Sequence, residues 1–239
     1  MQGRPAKGVT PFAQVTLAAL VFGHLLTPWL LQRHRSTRAR DHYDKGTVVV
    51  ATVAVAIGIV VGAEGTQKWW APYSAPIAIL AVVACCIGGG LIPVISARVG
   101  RARLVRLPTT NQPWATRLPA HVWTVSCASA EEIIWRWAAP SVLVGVGLPA
   151  IASAAIALFG FVLLHPPVSG WRSAPYLCVI GLALTVFAGL AGLAAAAVAH
   201  AAHNLVVAHT TFARRSRQTA GSPHPHTART QLPEADAWD

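Results

Sequence analysis

Acidic side chains are scarce in this sequence. Only 8 of its 239 residues are Asp or Glu, against 19 Lys and Arg, and all charged residues together make up 11%. A soluble domain carries about 25%. The shortfall excludes a large separate water-soluble domain. The charges that are present lie in short runs between long apolar stretches, and 54% of the chain is hydrophobic. That is the pattern of a polytopic membrane protein. A net charge of +11 would point to nucleic acid in a soluble protein. Here the basic residues flank apolar segments and read as topology signals, so no nucleic-acid partner is expected.

Other absences narrow the chemistry. The four cysteines, Cys85, Cys86, Cys127 and Cys178, form no C-x-x-C pair, and buried free thiols are expected. No Gly-x-Ser-x-Gly occurs, which argues against a serine nucleophile. No His-Glu-x-x-His occurs, which argues against a zincin. No inverted repeat is visible, as many transporter folds would show. The first apolar run, Phe12 to Leu31, is long enough to span a bilayer and is followed directly by basic residues. It is therefore read as a span and not as a cleavable signal.

What is there is a series of apolar segments. Spans are expected at Phe12–Leu31, Thr47–Gly62, Ala75–Ile95, His121–Val146 and Leu148–His165. Gly88-Gly89-Gly90 and Pro93 predict a kinked or unwound end to the third. Pro149 opens the fifth and Pro166-Pro167 closes it. The stretch Pro175–Phe212 is too long for one crossing at 1.5 Å per residue, so two short helices with a break near Gly189–Gly192 are expected. The fold class is thus all-α, a membrane helix bundle of about seven transmembrane helices.

Strongly basic segments follow the first span (Arg33, Arg35, Arg38, Arg40, Lys45), separate the third from the fourth (Arg98, Arg101, Arg103, Arg106, Arg117) and follow the last (Arg214, Arg215, Arg217). Seven spans put all three on one side, which the positive-inside rule makes cytoplasmic, with the N-terminus outside and the C-terminus inside. Three regions result: residues 1–119 with three spans, 120–212 as a helical core, and 213–239 as a polar tail expected to be disordered. Trp69-Trp70, Trp114 and Trp123 read as an aromatic belt at the headgroups.

One apolar segment carries charges. Ala130-Glu-Glu-Ile-Ile-Trp-Arg-Trp137 places two carboxylates and an arginine inside the fourth span. A charge at mid-bilayer costs at least about 2.5–3.5 kcal/mol, so such groups point to function. Glu132 and Arg136 are four apart and can pair on one helix face. Glu131 projects about 100° away and is left for proton transfer. His165 ends the fifth span, four residues after Phe161. His200 and Asn204 lie four apart in an alanine-rich helix, with His203 between them. In the seven-span topology all three elements approach the cytoplasmic half of the membrane.

The ordered set Glu131-Glu132-x-x-x-Arg136, Phe161-x-x-x-His165 and His200-x-x-x-Asn204 resembles the CAAX protease and bacteriocin-processing (CPBP, or Abi) family, including the CAAX prenyl protease 2-like members. The resemblance covers about residues 120–210. It implies an intramembrane endopeptidase in which Glu131 and His165 activate a water, His200 and Asn204 stabilise the oxyanion, and Glu132 and Arg136 orient the site, with Phe161 in support. It implies a peptide or membrane-anchored protein as substrate, the lipid bilayer as surroundings and no cofactor. The interval between the last two motifs is short for this pattern, and Pro166-Pro167 directly after His165 departs from it. Glu131, His165 and His200 would also supply three zinc ligands with an open fourth position, although the resemblance favours metal-free glutamate chemistry. Two other classes remain open, a non-catalytic scaffold or immunity protein of the same superfamily and a small proton-coupled transporter. The Ala- and Arg-rich composition points to a bacterial plasma membrane.

Overall fold

The computed structural model describes residues 11–31, 37–61, 75–99 and 118–220. Every regular element among them is helical: α1 (Pro11–Leu31), α2 (Thr37–Val61), α3 (Ala75–Val99), α4 (Leu118–Glu132), a π-helical turn (Ile133–Ala138), α5 (Ala139–Gly145), α6 (Ala150–Leu163), α7 (Pro166–Ser169), a 3-10 turn (Trp171–Ser173), α8 (Ala174–Ala191) and α9 (Leu193–Ala220). In hydrocarbon every backbone N–H and C=O needs a partner within the segment, and helices supply it. Four stretches are long and apolar enough to cross a membrane by length and composition: Pro11–Leu31, Ala75–Ser96, Ala150–Ser169 and Trp171–Ala191. Leu193–Val207 is a shorter apolar helix. The chain is an integral membrane protein, and the expected seven spans and terminal orientation rest on the basic-loop argument.

Polarity is inverted relative to a soluble bundle. Large apolar side chains face outward on several helices, Phe12 (81% exposed), Ile79, Ile151 (87%), Phe159 and Val179 among them. The buried set contains His24, Thr47, Glu131, Glu132, Arg136, Ser153, His200 and His203. Lipid outside and a polar interior account for both.

The organising element is the run from α4 through the π turn into α5, which packs against α1, α2, α6 and α9. The π turn has a local cause. Pro140 has no N–H to donate to the Arg136 carbonyl, and its ring would press on that carbonyl in a regular helix. The wider turn relieves this: the Ala139 N–H reaches back five residues to the Ile134 carbonyl. The result buries Ile134, Trp135, Arg136 and Trp137 together.

The helix break expected near Gly189–Gly192 falls at Gly192, whose φ of +89° and ψ of 167° suit glycine. Four differences from the sequence reading have physical causes. First, α3 runs unbroken through Gly88-Gly89-Gly90 and Pro93 and is not unwound. Its glycines serve close approach instead: a Cβ at Gly89 would collide with the Ala199 backbone of α9, and α3–α9 is the most extensive helix pair. Second, α2 begins at Thr37, ahead of the apolar run from Thr47, which brings Tyr43 into the helix. Third, α9 continues past Phe212 to Ala220. Fourth, only Cys85 and Cys127 are buried, while Cys178 is exposed on the apolar outer face of α8 and Cys86 is half-buried. Trp69-Trp70, Trp114, most of the basic loops and the tail from 221 lie outside the described residues.

Candidate functional site

The site forms where α4 and the π turn meet α2, α6, α8 and α9. Glu131 and Glu132 close α4, and both are buried, Glu132 completely. Arg136, one turn later, places Nε 3.4 Å from Glu132 Oε2, the pair expected from their spacing. Its Nη2 donates to the Gly181 carbonyl of α8 at 3.1 Å. Its guanidinium lies 4.5 Å above the Phe161 ring of α6, a cation–π contact. Close approach of α6 and α8 makes this possible, because Gly181 leaves room for Leu158 and Phe161.

His200 of α9 bridges the two carboxylates. Its Nδ1 is 2.8 Å from Glu132 Oε1 and its Nε2 is 3.7 Å from Glu131 Oε2. A neutral ring donates from Nδ1 to Glu132; an imidazolium serves both carboxylates. The Gly89 seam sets the depth of α9 one residue before His200.

His165 follows α6. Its Nδ1 lies 2.8 Å from the Phe161 carbonyl. A carbonyl only accepts, so Nδ1 carries the proton and Nε2 presents a lone pair in the neutral ring. The ring packs at 4.7 Å on Phe161, which also meets His200 edge-on at 5.8 Å. His165 is near enough to interact electrostatically with Glu131 and His200.

Asn204, half-buried on α9, is tied to its neighbour. His203 Nδ1 donates to Asn204 Oδ1 at 3.0 Å, and His203 Nε2 takes the Tyr176 hydroxyl proton. That fixes the ring of His203 and engages Asn204 through its carbonyl oxygen, so the amide N–H groups are the donors left to face a ligand.

The fold thus brings Glu131, Glu132, Arg136, Phe161 and His200 into one contact set, sets His165 on its edge, and reaches Asn204 through His203. Among the described residues no three His, Cys, Asp or Glu are arranged to hold a metal ion. An apolar groove of about 530 Å³ opens between α1, α5 and α6, with Trp135 and Gly160 in its lining.

Four residues escaped the sequence reading. Tyr43 donates its hydroxyl to Glu131 Oε1 at 2.8 Å. His24 and Thr47 stand behind it, with His24 Nε2 3.0 Å from Thr47 Oγ1. Tyr176 stands behind His203. The signal available was a histidine inside the apolar run of α1 and a Tyr-x-x-x-Thr pair at one-turn spacing.

Comparison with known proteins bears on this site. No curated protein and no solved structure matches the chain. A family model described as type II CAAX prenyl endopeptidase Rce1-like matches residues 113–206, which contain all three motifs. Over that segment, about two fifths of its length, the chain is similar to the Rce1-like family of the CAAX protease and bacteriocin-processing group.

Proposed function

We propose that the chain is an intramembrane endopeptidase of the glutamate type, with residues 120–212 as its catalytic core. The observation that carries this reading is the convergence of three separate motifs on one buried carboxylate pair. The family match over residues 113–206 supports peptidase action on a peptide or protein in the membrane; the roles of individual residues are our reading.

Glu131 Oε2 and His165 Nε2 take the proton of a water and direct it at a peptide carbonyl. Each has its other heteroatom already engaged, Glu131 Oε1 by Tyr43 and His165 Nδ1 by Phe161. The tetrahedral intermediate places negative charge on the former carbonyl oxygen. His200, as an imidazolium whose Nδ1–H stays on Glu132 and whose Nε2–H is free to donate, and the Asn204 amide donate to it, as fixed donors in a dry site do. Glu132 and Arg136 hold His200 and Phe161 in place. Glu131 then returns its proton to the leaving amine. The bilayer, with a basic cytoplasmic face, is the setting, and a bacterial plasma membrane fits the composition. The N-terminal region 1–119 supports this core, and 213–239 forms a polar tail.

The test is cleavage of a fluorogenic peptide library by detergent-purified protein. Wild type should cleave, Glu131→Ala and His165→Ala should not, and chelator should leave the rate unchanged. Loss of activity with chelator and its return with zinc would replace the glutamate mechanism with a metal one. Equal traces for all three proteins would point to a non-catalytic scaffold.

A further inference from the structure

Tyr43 and His24 belong to α2 and α1, outside the family-matched segment 113–206. Yet Tyr43 makes the shortest hydrogen bond to Glu131. The short contacts of this corner constrain where its protons lie. Glu131 Oε1 accepts, so the Tyr43 hydroxyl proton is committed to it at 2.8 Å. The Thr47 hydroxyl donates to the Tyr43 carbonyl at 2.9 Å, so its proton is committed too. His24 Nε2 lies 3.0 Å from Thr47 Oγ1 and 3.4 Å from Tyr43 Oη. With both hydroxyl protons used, His24 donates from Nε2, its nearer acceptor being Thr47 Oγ1 and its farther one Tyr43 Oη. The short bond of this corner is Tyr43 O–H to Glu131, and behind it the His24 N–H is shared between the Thr47 hydroxyl oxygen and the Tyr43 oxygen. Such a chain is polarised in one direction, each bond strengthening the next.

Burial and packing hold the chain in place. His24 is 3% exposed and Thr47 1%. The His24 ring leans on Tyr43 at 5.6 Å and on Trp135 of the π turn at 5.9 Å. Thr47 sits one turn after Tyr43 on the same face of α2. Cys127, one turn before Glu131, adds only a weak thiol contact at 3.9 Å to the same oxygen. The two oxygens of Glu131 are thereby made unequal. Oε1 is anchored by a short bond from α2, while Oε2 faces His200.

We propose that Tyr43, oriented by His24 and Thr47, is a positioning residue that anchors Oε1 of Glu131 and leaves Oε2 as the oxygen that exchanges protons. The proposal rests on the protease reading. It makes the first two helices part of the working site, so the matched core alone does not carry the full rate.

The experiment compares wild type, Glu131→Gln, Tyr43→Phe, His24→Phe and the Tyr43→Phe/His24→Phe double variant, with kcat, KM and melting temperature for each. Tyr43→Phe keeps the ring and removes only the O–H. Loss of one hydrogen bond to a charged group predicts a kcat lower by about 10- to 100-fold, with KM within about two-fold. His24→Phe should lower kcat by about 3- to 10-fold, because it acts one bond away and through Tyr43. The double variant should match Tyr43→Phe and not multiply the two effects. A purely structural role would lower the melting temperature and leave the kcat of the folded fraction alone. Wild-type kcat in Tyr43→Phe with Glu131→Gln inactive overturns the anchoring and leaves the protease reading intact. A double variant at the product of the two single effects overturns the chain in the same way. Cleavage by Glu131→Gln overturns both. His24→Phe reads the chain independently of whether Tyr43→Phe folds.

Discussion

Replacing Arg136 by Met tests what holds the polar interior together. Methionine has a similar reach and fills much the same space, so the change removes charge and donors more than volume. The guanidinium lies beside Glu132, which has no solvent exposure. Breaking a buried pair by removing one partner costs about 3–5 kcal/mol, because the remaining charge stays buried and uncompensated. The bond to the Gly181 carbonyl adds little, since that oxygen also accepts from the Thr185 hydroxyl at 2.8 Å. The cation–π contact with Phe161 adds about 0.5–2 kcal/mol, part of it already counted in the pair. A chain of this length loses about 2–4 °C of melting temperature per kcal/mol, so Arg136→Met should melt roughly 6–20 °C lower. Neutralising the partner as well, in Glu132→Gln/Arg136→Met, removes the stranded charge and keeps an acceptor for His200. More than half of the lost stability should return. The assay is thermal unfolding in one detergent, followed by circular dichroism. A single-variant shift below about 2 °C, or a double variant less stable than the single, would refute the claim that Glu132 is stranded without Arg136.

Three further outcomes follow from the packing. Gly89→Ala, whose Cβ would meet the Ala199 backbone, should lower stability by about 1–3 kcal/mol and abolish cleavage by displacing His200. Gly90→Ala meets only Val206 at 3.8 Å and should be neutral or up to about 1 kcal/mol stabilising, so equal effects at the two positions would refute the close-seam account. Trp29→Phe removes an N–H donor 3.1 Å from the Leu163 carbonyl at the end of α6. About 1 kcal/mol of stability should go, and turnover should drop more than binding, because His165 stands two residues on. Pro140→Ala restores an N–H to the helix and removes the cause of the π turn. Melting temperature should hold or rise while cleavage falls, and a fully active Pro140→Ala variant would sink the link between that turn and Arg136.

Legibility in the sequence divides by physical scale. Span positions were readable because a bilayer demands long apolar runs, and α1, α3, α6 and the Gly192 break follow from that rule. The pairing of Glu132 with Arg136 was readable because helix periodicity fixes neighbours four apart. The meeting of Glu131 and Glu132 with His200 was readable only through motif order, since nothing local links residues that far apart in the chain. The π turn was not foreseen: Pro140 lies within the expected span His121–Val146, and its clash with the Arg136 carbonyl is a three-dimensional effect. The three glycines of α3 misled, because glycine signals a break or a close approach with the same letter, and only the presence of Ala199 opposite Gly89 decides between them. Tyr43, His24 and Thr47 were hidden because each is unremarkable alone. They gain meaning when α1 and α2 fold back onto α4.

The charge inventory of the interior ties these pieces to the proposed chemistry. Glu131 and Glu132 contribute two negative charges when ionised, and Arg136 one positive. One negative charge is then left in a region where solvent gives little help. Opposite unit charges at 4 Å interact far more strongly there than in water. His200 touches both carboxylates, so a single proton shared between His200 and Glu131 brings the sum to zero. Moving that proton from one to the other changes where the charges sit but not their total. A proton transfer that conserves net charge avoids the large desolvation penalty of creating an unpaired ion in a dry interior. Glu132 and Arg136 serve this balance without touching the reacting atoms. Glu132→Gln should therefore reduce turnover even though no proton is assigned to Glu132, because it leaves Arg136 unpaired and His200 without its ionic partner. Full turnover in a folded Glu132→Gln variant, measured beside Glu131→Gln, would show that the balance is not needed.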